Sequence, residues 1–153
     1  MRRAGVGVQR EVMTPLRVLV RSGFLIGILL LGDLAGYLWK TVGANIGLGL
    51  LVFLVLGVVA GALGLLDGRR HAIRGVLVMW LVVSAVVGLF AAASVSVGAW
   101  LLGGGFTMSV LASDLVLLAP FMACLVAVPA LIGAALGEAT SAGRVARAPR
   151  PTT

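Results

Sequence analysis

Charge is the property that this sequence has least of. Only 11% of its 153 residues are charged, whereas a soluble domain averages about 25% because it must cover its surface with polar groups. Hydrophobic residues make up 61% of the chain. These proportions exclude an ordinary soluble globule and predict a polytopic integral membrane protein whose single domain leaves no room for a separate soluble module.

Cysteine and aromatic residues are scarce as well. Cys124 is the single cysteine, so the chain cannot form an intrachain disulfide or a cysteine-based metal cluster. Its place in an apolar run predicts a small, buried packing residue. The basic residues are not interleaved with aromatic ones, which argues against a nucleic-acid partner. The sequence contains no phosphate-binding loop, metal motif or Ser/His/Asp set, so we predict no enzyme and no cofactor or metal site.

One polar segment, residues 66–75, divides the apolar chain into two halves. It contains Arg69, Arg70 and Arg74, which cannot lie in hydrocarbon. The chain must therefore re-enter the membrane from the same aqueous face that it left. His71 lies alone among these arginines, without a second ligand or a nucleophile nearby, and we assign it no role.

The apolar runs on both sides of this segment predict an all-α fold, a bundle of four transmembrane helices. About 20 residues are enough for each helix to cross the hydrocarbon. The predicted spans are 18–39, 44–66, 75–98 and 115–137, in a transmembrane domain of residues 18–138. A basic tail, 1–17, precedes this domain, and a disordered tail, 139–153, follows it. Residues 99–114 contain three consecutive glycines and allow a loop, a short interfacial helix or an extension of the fourth span.

Basic residues alternate between the two sides of the predicted bundle. Five arginines precede the first apolar run, three lie in 66–75 and three in the C-terminal tail, whereas the first outer loop has one lysine and the second has no basic residue. The positive-inside rule then places both termini and Arg69, Arg70 and Arg74 in the cytoplasm. The predicted location is the cytoplasmic membrane, where the lipid bilayer is the first partner.

Asp33 is the residue most suggestive of chemistry. It lies about 18 Å along the helix from Arg21 and about 10 Å from Lys40, well inside the hydrocarbon. A carboxylate there costs roughly 2.5 to 3.5 kcal/mol on insertion scales. We expect a proton- or cation-coupling carboxylate that faces a cavity. The alternative is a packing carboxyl bonded to Tyr37, one turn further on, or to Asn45 at the start of the next span.

Pro120 and Pro129 interrupt the fourth span and are candidates for helix kinks. Each removes one backbone hydrogen bond, and the freed carbonyls could line a pathway. Smooth curvature against small neighbouring residues is the alternative.

Structural roles are predicted for the remaining acidic residues and tryptophans. We expect Asp67 to pair with Arg69 or Arg70, Asp114 to cap the N-terminus of the fourth helix and Glu138 to close its cytoplasmic end. Trp80 and Trp100 fit an interfacial aromatic belt.

Small residues recur at a spacing of four, which predicts tight helix packing, because lipid supplies no hydrophobic drive between helices. The pairs are Gly32/Gly36, Gly43/Gly47, Gly57/Gly61, Ser84/Gly88, Ser94/Gly98 and Gly133/Gly137.

Three segments carry a resemblance to a known group of proteins. They are 65–70 (LLDGRR), 125–137 (LVAVPALIGAALG) and 104–107 (GGFT), the last separated from the proline by a longer segment than usual. With these, the chain resembles small bacterial four-helix membrane proteins of the drug/metabolite transporter superfamily. The resemblance implies a transporter that works as a dimer. No residue with an established role in that group matches a position in this chain, so the importance of Asp33 is argued only from the cost of a carboxylate in hydrocarbon. Small multidrug resistance proteins also have one acidic residue, a glutamate, in their first helix, and we treat this as an analogy only.

The sequence leaves two functions open. The first is a dimeric carrier of small molecules, with Asp33 facing a shared cavity. The second is an accessory or structural subunit whose helices pack against a partner membrane subunit, with Asp33 meeting a polar or basic residue of that partner. The direction in which Asp33 faces discriminates between them.

Overall fold

The computed structural model describes residues 15–38, 46–101, 103 and 107–146, and these residues form four α-helices. The helices are α1 (Pro15–Leu38), α2 (Ile46–Arg70), α3 (Ile73–Leu101) and α4 (Met108–Ala146). All four are long and apolar enough to cross a membrane, and the described residues include no strand. The predicted all-α bundle of four transmembrane helices is confirmed.

The polar segment 66–75 is far more helical than predicted. Helix α2 continues through Arg70 and α3 begins at Ile73, so only His71 and Ala72 separate them. Charged side chains at the end of a transmembrane helix can extend to the aqueous interface, and their presence therefore does not require a loop.

The last helix is longer than its predicted span at both ends. Helix α4 begins at Met108, so 108–114 belong to an extension of the fourth span. Gly103 lies in the preceding turn at a φ of 85°, which suits glycine. The helix continues to Ala146, and the predicted disorder is therefore wrong for 139–146, where three alanines and Arg144 favour helix. Residues 1–14 and 147–153 of the predicted tails lie outside the described residues.

The basic helix ends meet on one side of the bundle. Arg17 and Arg21, near the start of α1, bond to His71 and Asp67 at the α2–α3 turn. Arg69 Nε donates to Thr140 Oγ1 of α4 across 3.3 Å. This arrangement matches the alternation of charge in the sequence, and the positive-inside rule assigns this side to the cytoplasm.

Helix α4 lies at the centre of the bundle and packs along both α2 and α3, whereas α1 makes a smaller contact with α3 and α2. Helices α2 and α3 touch each other little, although a turn of two residues joins them. The largest fully buried side chains are Trp80, Leu25, Leu56, Val83, Val87 and Val126.

Glycine brings α2 and α4 into backbone contact. A Cβ atom on Gly64 or Gly68 would overlap the carbonyl oxygen of Ala130 or Ala134 in α4. In return, a Cβ on Gly133 or Gly137 would overlap a carbonyl oxygen of α2. We call Gly64, Gly68, Gly133 and Gly137 the glycine seam.

The predicted tight packing of small residues is thus confirmed between α2 and α4. It is confirmed also between α3 and α4, where a Cβ atom on Gly88 would overlap the carbonyl oxygen of Ala119. Gly47 and Gly98, by contrast, have no atom within 4 Å of a built Cβ. Gly43 lies outside the described residues.

Candidate functional site

Asp33 lies at a cavity that all four helices line. The cavity has a volume of about 390 Å³, and we call it the Asp33 pocket. Its walls are mainly apolar or glycine, and Ser94 of α3 is the second polar side chain. The lining residues are Leu29, Gly32, Asp33, Gly36, Leu48, Gly49, Val52, Phe53, Ala91, Ser94, Val95, Leu118 and Met122.

Asp33 belongs to the inward-facing side of α1, although its side chain is exposed. Leu25 and Leu29 are buried in the core, and Asp33 follows them at the next interval of four residues, so the three share one helix face. Asp33 is exposed because the bundle opens at this level into the Asp33 pocket. The carboxylate thus lies on the inward stripe beside a cavity.

Asp33 takes part in no hydrogen bond or ion pair with another residue of the described segments. Tyr37 is 56% exposed one turn further along α1, and Asn45 lies outside the described residues. The Ser94 hydroxyl donates to the carbonyl of Ala91 across 2.9 Å, which leaves its oxygen free to accept a hydrogen bond from a ligand. A ligand in this pocket would meet one carboxylate, one hydroxyl and apolar walls.

A second polar group, centred on Asp67, ties three helices together near the arginine-rich end of the bundle. The Arg21 guanidinium of α1 pairs with Asp67 Oδ1 of α2. Trp80 Nε1 of α3 donates to Asp67 Oδ2 across 3.1 Å. The Arg21 guanidinium also lies 5.6 Å from the centre of the Trp80 ring, within cation–π range. Both carboxylate oxygens of a 3% exposed aspartate are therefore satisfied.

The predicted partners of Asp67 and the predicted place of Trp80 were wrong. Arg69 and Arg70 are exposed, whereas Asp67 is buried, and the ion-pair partner of Asp67 in the described part of the chain is Arg21. Trp80 is fully buried in the core of the bundle, so it does not face the lipid as a belt residue would. Its indole N–H needs a partner once it is buried, and Asp67 supplies that partner.

The sequence contained a sign of the buried tryptophan. Val76, Trp80, Val83 and Val87 follow one another at intervals of three and four, which marks one side of α3 as the core face. Trp80 lies within this stripe, whereas Trp100 is 58% exposed, as a belt residue would be.

A larger cavity opens beside the Asp67 group, between α1 and α2. Its volume is about 570 Å³, and we call it the arginine pocket. Arg17 Nη1 donates to Nε2 of His71 across 2.6 Å at this opening. The lining residues are Leu16, Arg17, Val20, Arg21, Phe24, Leu63, Leu66, Asp67, Arg70 and His71. Sequence reasoning missed this pocket, because its residues come from two helices about fifty positions apart.

Three other residues differ from their predicted roles. Asp114 lies inside α4 and accepts a hydrogen bond from Ser96 Oγ at 3.4 Å. The carbonyl of Thr107 accepts the first backbone hydrogen bonds of the helix, so Asp114 is not the N-cap residue. Glu138 does not end α4, which continues to Ala146. Cys124 is exposed on the outer surface of the bundle, where a small apolar thiol can face lipid.

Both prolines lie within the continuous helix α4. Pro129 packs against the α2 glycines, its ring 3.7 Å from a Cβ built on Gly57. Pro120 is exposed. Their role as kinks stays a prediction. No group of three or more His, Cys, Asp or Glu side chains suited to a metal ion occurs among the described residues.

Comparison with known proteins identifies no relative: no protein-family model, no curated protein and no solved structure matches the chain. The two pockets and the residues that line them are therefore the features of the molecule that bear on its function.

Proposed function

We propose that the protein is a dimeric membrane carrier of small organic cations, in which Asp33 couples transport to protons. The observation that carries this proposal is the Asp33 pocket, which all four helices line and which has a single carboxylate on the inward stripe of α1. Its volume of about 390 Å³ lies within the roughly 300 to 1,000 Å³ range of small-molecule sites.

The chemistry of this pocket favours an exchange reaction. A carboxylate in an apolar cavity can be neutralised by a proton or by a cationic solute, and one site cannot hold both. Loss of the proton on one side of the membrane then accompanies binding of the cation there. Apolar walls such as Val52 and Phe53 suit the hydrocarbon part of such a solute.

The loose packing of α1 provides the movement that such a carrier needs. The Asp33 pocket and the arginine pocket adjoin α1 at two different levels, and buried Leu25 lies between Arg21 and Asp33 along the helix. The glycine seam joins α2 and α4 into a more rigid unit. In our proposal α1 shifts against this unit and closes the Asp33 pocket on one side before it opens on the other.

The outward face of α1 offers a surface for the second subunit. Gly23 and Gly27 are one turn apart, and nothing lies within 4 Å of a Cβ built on either. Two small residues at this spacing permit close contact with another helix in a membrane.

The carrier is tested in proteoliposomes that contain the pH-sensitive dye pyranine, with ethidium as the external cation. Ethidium should enter as protons leave, and Asp33→Asn should abolish both fluxes. Asp114→Asn is the matched control, because it neutralises another membrane carboxylate outside the Asp33 pocket, and it should keep both fluxes. Full coupled transport by Asp33→Asn would refute the role of Asp33, and the absence of any ethidium flux in the parent protein would refute the cation carrier.

The exposure of Asp33 also favours a second candidate function, that of an accessory subunit. A basic or hydrogen-bonding side chain of a partner helix fits the Asp33 pocket. Copurification in mild detergent separates the two: a stable heteromer that Asp33→Asn disperses would favour the accessory subunit, and a homodimer would favour the carrier.

A further inference from the structure

We propose that the arginine pocket binds the phosphate group of an anionic phospholipid from the cytoplasmic leaflet. This inference is independent of the transport activity, since it concerns the opposite end of α1 from the Asp33 pocket. Basic pockets between transmembrane helices on the cytoplasmic side are suited to acidic lipid headgroups.

The charges in this pocket do not cancel. Arg21 is neutralised by Asp67, with which it forms an ion pair. Arg17 and Arg70 also line the pocket, and neither forms an ion pair with a carboxylate in the described part of the chain. The pocket therefore has an excess of two positive charges, and the Arg17 and Arg70 guanidinium groups can donate to phosphate oxygens.

The Asp67 group gives the site a fixed back wall. Arg21 is 19% exposed and is held from one side by Asp67 and from another by the Trp80 ring. An anion that enters the pocket therefore meets a positioned arginine behind two exposed ones. The bond between Arg17 and His71 brings the α1 side of the opening close to the α2–α3 turn.

The remaining walls identify a lipid as the source of the phosphate. Leu16, Val20 and Phe24 of α1 face Leu63 and Leu66 of α2 across the same cavity. Val20 is 63% exposed and Phe24 is 56% exposed, so this wall is open to hydrocarbon. Phe24 lies about 10 Å along α1 from Arg17, a depth that acyl chains reach when their phosphate lies at the interface. A free phosphate ion would make no use of these side chains.

The test measures binding of phosphatidylglycerol and phosphatidylcholine to the delipidated full-length protein by native mass spectrometry. Phosphatidylglycerol should bind about tenfold more tightly or better, because both unpaired arginines of the pocket attract its net negative charge. The Arg17→Gln/Arg70→Gln double variant should lose this preference. Arg74→Gln is the matched control, since Arg74 is an exposed arginine of the same end that does not line the pocket.

Competition distinguishes the lipid from a free anion. Millimolar inorganic phosphate or glycerol phosphate should leave phosphatidylglycerol bound, since neither has acyl chains for the apolar wall. Displacement by either ion would overturn the lipid assignment. Equal binding of the two lipids, or an equal loss in Arg74→Gln, would show general surface attraction and also overturn it. Unchanged circular dichroism of the double variant confirms that its loss of binding does not come from unfolding.

Discussion

The contact between α2 and α4 and the contact of α1 with the rest of the bundle differ in kind. Along the glycine seam, backbone meets backbone, and any added Cβ would overlap a carbonyl oxygen. Helix α1 is held by fewer contacts, among them the buried side chains of Leu25 and Leu29 and the ion pair from Arg21 to Asp67. Both described pockets that contain ionisable groups adjoin α1.

This difference separates a scaffold from an element that can move. Close backbone packing depends on many atoms at once and has little tolerance for displacement. A helix that makes fewer contacts with its neighbours can shift when one of them changes. We therefore expect substitutions at the seam to affect the whole bundle and substitutions around α1 to affect α1 first.

The largest effect is expected when the fastening of α1 is removed. Asp67→Ala leaves Arg21 without its carboxylate and Trp80 without its acceptor, which should lower the free energy of unfolding by about 3 to 5 kcal/mol. Trp80→Phe keeps the ion pair and loses one hydrogen bond, so about 1 to 3 kcal/mol is expected. Denaturant titration in detergent micelles measures both.

Hydrogen exchange of the same variants shows where the stability is lost. In Asp67→Ala, amides of α1 should exchange faster while those of the seam stay protected. Equal acceleration in α1 and α4 would contradict the division of the molecule into scaffold and mobile helix. Asp114→Asn, which weakens one long hydrogen bond from Ser96, should change neither region.

A smaller loss is expected at the seam itself. Gly64→Ala and Gly133→Ala each place a methyl group against a carbonyl of the facing helix, which should cost about 1 to 3 kcal/mol. Gly32→Ala meets only side-chain atoms of Val52 at the α1–α2 contact, so a shift of α1 can relieve it at lower cost. In thermal unfolding in one detergent, Gly64→Ala and Gly133→Ala should therefore lower the melting temperature more than Gly32→Ala does.

Gly98→Ala is the matched control for the seam variants. It lies within α3, and nothing is within 4 Å of its Cβ position. Alanine is favoured over glycine in a helix by about 1 kcal/mol, so this variant should be neutral or slightly more stable. A loss in Gly98→Ala as large as in Gly64→Ala would mean that glycine flexibility, rather than close packing, explains the seam.

The smallest effect on stability is expected on the outer face of α1. Gly27→Ile fills space that is empty within the single chain, so unfolding of the subunit should change by less than about 1 kcal/mol. If a second copy packs on this face, the variant should shift the protein from dimer to monomer in crosslinking or light-scattering measurements. A dimer that persists in Gly27→Ile would place the subunit contact elsewhere.

The fold could be predicted further than the sites. Long apolar runs and the distribution of arginine predicted four helices and their alternation, because a helix in lipid satisfies its own backbone. The helix ends were predicted less well: Arg69 and Arg70 looked like loop residues, yet they extend α2. Asp33 was identified as a candidate only by the free-energy cost of a carboxylate in hydrocarbon. Its place beside a cavity became visible only once all four helices were packed.

The Asp67 group was missed for a physical reason. Short sequence separation suggested Arg69 or Arg70 as the partner, but both arginines are exposed, whereas Asp67 is buried against α1 and α3. Its actual partners lie 46 positions earlier and 13 positions later. Nothing local in the sequence specifies such pairs.

The sequence by itself determined that the chain forms four helices suited to a lipid bilayer, and it predicts the side of the membrane on which the arginines lie. These properties depend on the transfer of each segment into lipid, which is nearly a sum over neighbouring residues. The tertiary structure alone decided that glycine joins α2 to α4, that Asp67 binds Arg21 and Trp80, and that Asp33 borders a cavity. Those outcomes depend on which helix faces meet, and that is a property of the whole bundle.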